Sequence, residues 1–146
     1  MKYNDIMNNK EKIRLAYGST LMDGGYTIWD SHDECYKGYI IGGVEHGSSC
    51  DKHGYNSFTT LYVEYAVLLT ENLFRESLLK YKEGLQGGTL IERVFAFGTW
   101  LKGGRIYFDV VEWVETKGEA EKLAIKRGQK AYYDVLNKKD IHPIKL

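Results

Sequence analysis

Four side chains in one short stretch, Trp100, Arg105, Tyr107 and Asp109, carry the chemistry needed to hold a nucleotide. Indole and phenol rings offer stacking surfaces to a base, and a guanidinium pairs with phosphate oxygens. A carboxylate accepts from ribose hydroxyls or orients the arginine. All four lie in residues 92–114, where two runs of aromatic and β-branched residues flank Gly103-Gly104. A glycine pair enters a left-handed two-residue turn without steric cost, so this stretch reads as a β-hairpin. Such a turn sets Lys102 opposite Arg105, Trp100 opposite Tyr107, Gly98 opposite Asp109 and Val94 opposite Trp113. Opposed residues share a face. One face then carries Phe95, Phe97, Leu101, Ile106, Phe108 and Val110, which is a core. The other carries Ala96, Gly98, Trp100, Arg105, Tyr107, Asp109 and Trp113, with Gly98 as a notch beside the rings. The competing reading is that this second face packs on strands within residues 25–44 or on a second subunit, where the same residue types are at home. Phe97 belongs to the core by alternation and is also a candidate to stack on the base.

Further along, Arg127 falls on the apolar stripe of a helix, in its last turn before Gly128. It is either a cation satisfying the final carbonyls or a guanidinium aimed at a phosphate. Gln129 could read an amide or base edge. Asp134, in a short strand otherwise apolar or aromatic, could accept from a ribose hydroxyl, pair with Arg127, or face water at a strand edge. A separate polar loop holds His46, Cys50 and His53, with Cys35 upstream. Imidazole and thiolate suit zinc, but the spacing matches no standard zinc module, and an ordinary surface loop is the competing reading. A Cys/His hydrolase centred on Cys50 is a third possibility. No nucleophile elbow, phosphate-binding loop or zinc-protease helix occurs, and Gly38-x₃-Gly42-Gly43 lacks the helix that a dinucleotide fingerprint requires. No catalytic residue, metal ligand or cofactor is therefore assigned.

The elements that must position these residues follow from composition and period. The 146 residues suit a single domain spanning 1–146, with residues 1–13 frayed or loosely helical. Twenty basic residues balance twenty acidic ones, so no field favours nucleic acid or an anionic membrane. No apolar run is long enough to span a bilayer, and the N-terminus lacks a signal-peptide core. A cytoplasmic protein with reduced cysteines is the expectation.

Residues 26–29 and 38–44 read as strands, able to pair with each other across the polar connection between them. Residues 45–57 read as a loop. Phe58, Leu61, Tyr62, Tyr65, Leu68, Leu69 and Leu73 then recur at helical spacing, predicting a helix from an Ser57 N-cap to about Lys82, with Gly84 as its stop. The β-rich start of that segment leaves a strand as the alternative. Gly87-Gly88 separates it from the hairpin. Thr116 and Glu119 form a capping box for a helix over 117–127. Residues 131–136 read as a strand, with a turn and tail after it. The fold expected is α+β: an antiparallel or mixed sheet core, a long central helix and a C-terminal β-α-β.

One resemblance goes beyond spacing. The run Phe97-Gly-Thr-Trp-Leu-Lys-Gly-Gly-Arg-Ile-Tyr-Phe-Asp-Val-Val111 is followed by Glu119-Ala-x₂-Leu-Ala124, Arg127-Gly-Gln-x-Ala131 and Tyr133-Asp134. Together with Gly38-Tyr-Ile-Ile-Gly-Gly43, this resembles a pattern in small phage and prophage proteins, the Thoeris anti-defence sponge family. The resemblance covers about residues 38–44 and 95–136. It implies a β-core with helices, assembly from dimers, and capture of cyclic ADP-ribose isomers without cleaving them, for immune evasion. Combined with the residues above, the expectation is a phage-encoded, non-enzymatic protein of the bacterial cytoplasm. It would be a homodimer or higher homo-oligomer, sequestering a cyclic nucleotide through Phe97, Trp100, Arg105, Tyr107, Asp109, Arg127 and Asp134. The alternative is a phage protein that inhibits a host protein by direct contact.

Overall fold

The computed structural model describes residues 10–29, 36–44, 47–85 and 93–144. In chain order the elements are α1 (Lys10–Asp23), β1 (Gly25–Trp29), β2 (Tyr39–Ile41), β3 (Ser48–Asp51), α2 (Tyr55–Leu85), β4 (Val94–Lys102), β5 (Arg105–Val114), α3 (Lys117–Lys126), β6 (Tyr132–Asp134) and β7 (Lys139–Ile141). The strands form one antiparallel sheet, in the order β1-β4-β5-β2-β6-β7, with β3 also paired to β5. The fold is α+β, as expected.

The β4–β5 hairpin is the longest paired unit and holds the expected register at every rung, from Lys102↔Arg105 to Val94↔Trp113. Gly103 and Gly104 take φ of 59° and 79°, the left-handed pair that a two-residue hairpin turn needs. One edge of β4 pairs with β1. The free edge of β5 is shared. β3 lies along Arg105–Phe108 and β2 along Glu112–Val114. Among the described residues no strand pairs with that edge between them, at 109–111.

The rungs assign Phe95, Phe97, Ile106, Phe108 and Val110 to one face, and these are buried under α1 and α2. On α2 the stripe Phe58, Tyr62, Tyr65 and Leu69 repeats every three to four residues and has essentially no exposure. Its rings interlock with the sheet: Phe58 and Phe108 are 5.0 Å apart, and Tyr62 meets Phe97 edge-on at 5.0 Å. Each such side chain, fully buried, contributes about 1.5–3 kcal/mol. That helical stripe overrides the β-rich start of the segment. Thr20 and Thr99, buried between α1 and β4, satisfy each other through a 2.6 Å hydroxyl contact. Farther along the same face, α3 covers Ile41, Val114 and Tyr132 through Ala120 and Ala124. The three helices thus share one face of the sheet. The opposite face carries a small cluster of its own, Trp29, Ala96 and Val111 flanked by Ile40, Val94 and Trp113.

Several expectations need correction. The segment at 26–29 does not pair with 38–44: β1 pairs with β4, whereas β2 pairs with β5 and β6. The loop at 45–57 contains strand β3, and the tail contains β7, which closes a hairpin with β6. α2 starts at Tyr55, so Ser57 lies inside its first turn, and it runs through Gly84 to Leu85. Residues 10–13 belong to α1. The C-terminal β-α-β is split: β5 and β6 run parallel, but β2 lies between them and pairs antiparallel with both. Residues 1–9, Cys35, His46 and the Gly87-Gly88 break lie outside the described residues.

Candidate functional site

The hairpin turn brings Trp100 and Tyr107 into register on the face away from the helices. Their rings stack, 5.8 Å apart and 16° from parallel. Trp100 remains 39 % exposed, so the pair has a free outer surface. Arg105 stands at the next outward position of β5. Its Nε donates to Ser49 Oγ at 3.0 Å and an Nη to the Ser49 carbonyl at 3.2 Å. Asp51 lies directly across the ladder from Arg105 and offsets part of its charge. An open pocket of about 400 Å³ lies beside Arg105, lined also by Ser49, Cys50, Asp51, Ser57, Thr60 and Leu61. The β3 ladder brings Ser49 there, and the first turns of α2 bring Ser57 and Thr60. Arg105 is the group there that would take an anion, with the Asp51 carboxylate opposing it.

Asp109 sits on the rung beyond Tyr107 on that same face, but it is buried. Its Oδ2 accepts from the Gly43 backbone N–H at 2.8 Å, at the stretch of β5 that lacks a strand neighbour. Gly43 has φ of 81°, and a side-chain carbon there would lie 2.6 Å from Gln129 Nε2 and 3.3 Å from Arg127 Cβ. The Gly42-Gly43 backbone is therefore held between Asp109 and the end of α3, where only glycine fits. Asp109, Arg127 and Gln129 do converge, around a piece of the chain.

Arg127 is the C-cap of α3, and its backbone N–H bonds to the Leu123 carbonyl. Its guanidinium turns to the helix-covered face. One Nη donates to Glu112 Oε1 at 2.5 Å and the other to the Gly42 carbonyl at 3.4 Å. Arg93 grips the same carboxylate with a two-pronged contact of 2.9 and 2.8 Å, and reaches Glu76 of α2 at 3.3 Å. Burial pushes the Glu112 carboxyl up, but the hydrogen bonds and charges of Arg93 and Arg127 outweigh it and hold it below the ordinary carboxylate range. The hydrogen bond to Glu112 raises the Arg93 guanidinium, against the pull of burial. This ion network ties β5, α2 and α3 together at the seam between the two cores.

The remaining candidates are placed elsewhere. Phe97 has no exposure and belongs to the core, so its ring is not a stacking floor. Asp134 accepts from the Asn137 backbone and side-chain amides, at 3.2 and 2.8 Å, which closes the β6–β7 turn. The Asn137 side-chain bond is the main reason its carboxyl lies below the usual range. Asp134 neither pairs with Arg127 nor lies beside Trp100. Cys50 points into the core under α2, and burial pushes its thiol up, the opposite of an activated nucleophile. Among the described residues, no group of His, Cys, Asp and Glu is clustered for a metal. None of their helices is long and apolar enough to cross a membrane.

Arg93, Glu112, Ser49 and Thr60 were missing from the sequence reading. Glu112 was findable: alternation from Ile106 places it on the core face, where a lone carboxylate requires cations. Ser49 and Thr60 carry no such mark, because only long-range pairing brings them to Arg105. Compared with family models, characterised proteins and solved structures, the chain matches none.

Proposed function

We propose that this protein is a non-enzymatic binding protein that captures a nucleotide. The observation that carries the reading is the stacked Trp100–Tyr107 pair with Arg105 and an open pocket beside it. The outer ring surface takes a base, and the cavity takes phosphate oxygens on Arg105, Ser49, Ser57 and Thr60. Arg127, Asp109 and Asp134 serve the protein's own backbone and ion pairs, so their part is to hold the scaffold. The resemblance to the sponge family narrows the ligand to a cyclic ADP-ribose isomer and the role to phage immune evasion in the bacterial cytoplasm.

Calorimetry with cyclic ADP-ribose isomers, and with linear ADP-ribose as control, tests this reading. Binding should be lost in Trp100→Ala and weakened in Arg105→Ala. Mass spectrometry after heat release should return the nucleotide unchanged. Absence of binding, or recovery of altered nucleotide, rejects sequestration. A second reading, inhibition of a host protein by direct contact, draws on the exposed Phe74, Leu78, Leu79 and Tyr81 of α2. Co-purification of one host protein that is lost in Phe74→Asp would favour it over nucleotide capture.

A further inference from the structure

The pocket beside Arg105 wraps the outer edge of β3. Arg105 lines it from the open face of the sheet, whereas Ser57, Thr60 and Leu61 line it from α2, on the covered face. The backbone of that edge follows from the ladder. The Lys52 N–H donates to the Gly104 carbonyl at 3.0 Å, which makes these two a hydrogen-bonded pair. Antiparallel pairs alternate, so Cys50 bonds Ile106 in the same way, while Ser49 opposite Tyr107 and Asp51 opposite Arg105 exchange no bonds. Ser49 and Asp51 therefore turn their N–H and C=O groups away from β5, toward the pocket. The chain itself uses both carbonyls: an Arg105 Nη donates to that of Ser49 at 3.2 Å, and the Gly54 N–H to that of Asp51 at 3.0 Å. The two N–H groups meet no acceptor among the described residues. A strand edge whose carbonyls are spent offers donors alone. That suits an oxyanion better than a further strand, which brings N–H groups of its own.

The charges narrow the oxyanion. The lining holds one cation, Arg105, and one carboxylate, Asp51, directly across the ladder from it. Asp51 Oδ1 accepts from the His53 N–H at 2.8 Å, which holds the carboxylate in place. The other polar groups of the lining, Ser49, Ser57 and Thr60, are neutral, as are the two backbone donors. A phosphate with two charges meets a single guanidinium and an opposing carboxylate. A phosphodiester, with one charge, keeps the same donors and meets half the repulsion.

We propose that Asp51 is a specificity-determining residue of this pocket, selecting a singly charged phosphodiester over a terminal, doubly charged phosphate. Arg105 and the Ser49 and Asp51 N–H groups hold the oxyanion, and the Asp51 carboxylate repels a second charge. This charge filter rests on the nucleotide reading. It adds which kind of phosphate the site accepts and which residue decides.

Titration of the full chain, followed by NMR at low salt, tests it with adenosine monophosphate and its methyl phosphate ester. At about pH 8 the two differ only in the charge on phosphorus, about −2 against −1. The native chain should bind the ester at least as tightly as the monophosphate. Asp51→Asn keeps an oxygen for the His53 N–H, so the thermal melt should not move. It should shift the preference toward the monophosphate about three-fold or more, the effect of one charge at ~6 Å in water. Arg105→Ala should weaken both ligands. An equal change for both ligands in Asp51→Asn makes Asp51 a structural residue and overturns the proposal, as does a native preference for the monophosphate. Binding of neither ligand overturns it too, because the pocket then holds no phosphate. The nucleotide reading is judged separately, by the cyclic ADP-ribose isomers. If they bind through Trp100 while the ester pair shows no dependence on Asp51, only the charge filter falls.

Discussion

The two faces of the β4–β5 hairpin are made from the same two strands, yet they have opposite fates. On one, Phe97, Phe108 and Val110 have no exposure. On the other, Trp100 stands open at 39 % while Ala96, Gly98 and Asp109 beside it are buried. Hydrophobicity alone does not separate them, since Trp29, Val111 and Trp113 lie on the second face beside Arg105 and Asp109. What separates them is the partner. The first face meets the stripe Phe58, Tyr62, Tyr65 and Leu69 of α2, a helical period laid on a strand period. The second meets no helix among the described residues. Trp100 is therefore left open there, Trp29 and Trp113 pack in their own small cluster, and the buried carboxylate of Asp109 is used on the chain's own Gly43 amide.

The contrast can be broken most forcefully on the covered face. Phe108→Ala removes the ring that both Phe58 and Tyr65 pack against, and it should cost about 3–5 kcal/mol in urea unfolding. Glu112→Gln comes next. It leaves the Arg93 and Arg127 guanidiniums without their shared carboxylate and should cost about 2–3 kcal/mol. That is less than the loss of a fully buried pair, because the Arg93 side chain keeps 36 % of its surface in water.

A smaller effect appears as pH dependence. The folded-state carboxyl of Glu112 lies below the ordinary glutamate value of 4.5, so its contribution is complete above about pH 4.5 and lost as the pH falls through the depressed value. Thermal melts taken downward from pH 5 should fall more steeply for the native chain than for Glu112→Gln. Equal slopes would mean that the network does not hold the carboxylate. The smallest stability effect belongs to the open face. Trp100→Ala should move unfolding by less than about 0.5 kcal/mol while removing nucleotide binding. A large loss of stability there would mean that the open face is a core in its own right.

Much of the local structure was legible. Gly103-Gly104 and the alternation around it set the hairpin register, and Thr116 with Glu119 marked the start of α3, where the Thr116 hydroxyl accepts from the Glu119 amide at 3.2 Å. The helical period of α2 was readable through its β-rich opening. By contrast, Ser48–Asp51 has no hydrophobic alternation of its own and is a strand because the β5 edge is there to pair with. Likewise, Lys139–Ile141 is a strand because β6 is. The site divided in the same way. That Trp100, Arg105 and Tyr107 share a face followed from the turn. That Arg127 would spend its guanidinium on Glu112, and Asp134 its carboxylate on Asn137, did not.

The sequence alone determined whatever depends on neighbours within a few residues: turn chemistry, caps, the strand and helix periods, and hence which side chains of the hairpin share a face. These are decided by backbone sterics and short-range hydrogen bonds, which are the same wherever the segment sits. Only the tertiary structure decided which strands pair, which face the helices cover, and which charges become partners. Those outcomes depend on contacts between residues far apart in the chain, such as Ser49 with Arg105 and Gly43 with Asp109. Their free energy comes from burying surfaces against each other, and no short segment can do that alone.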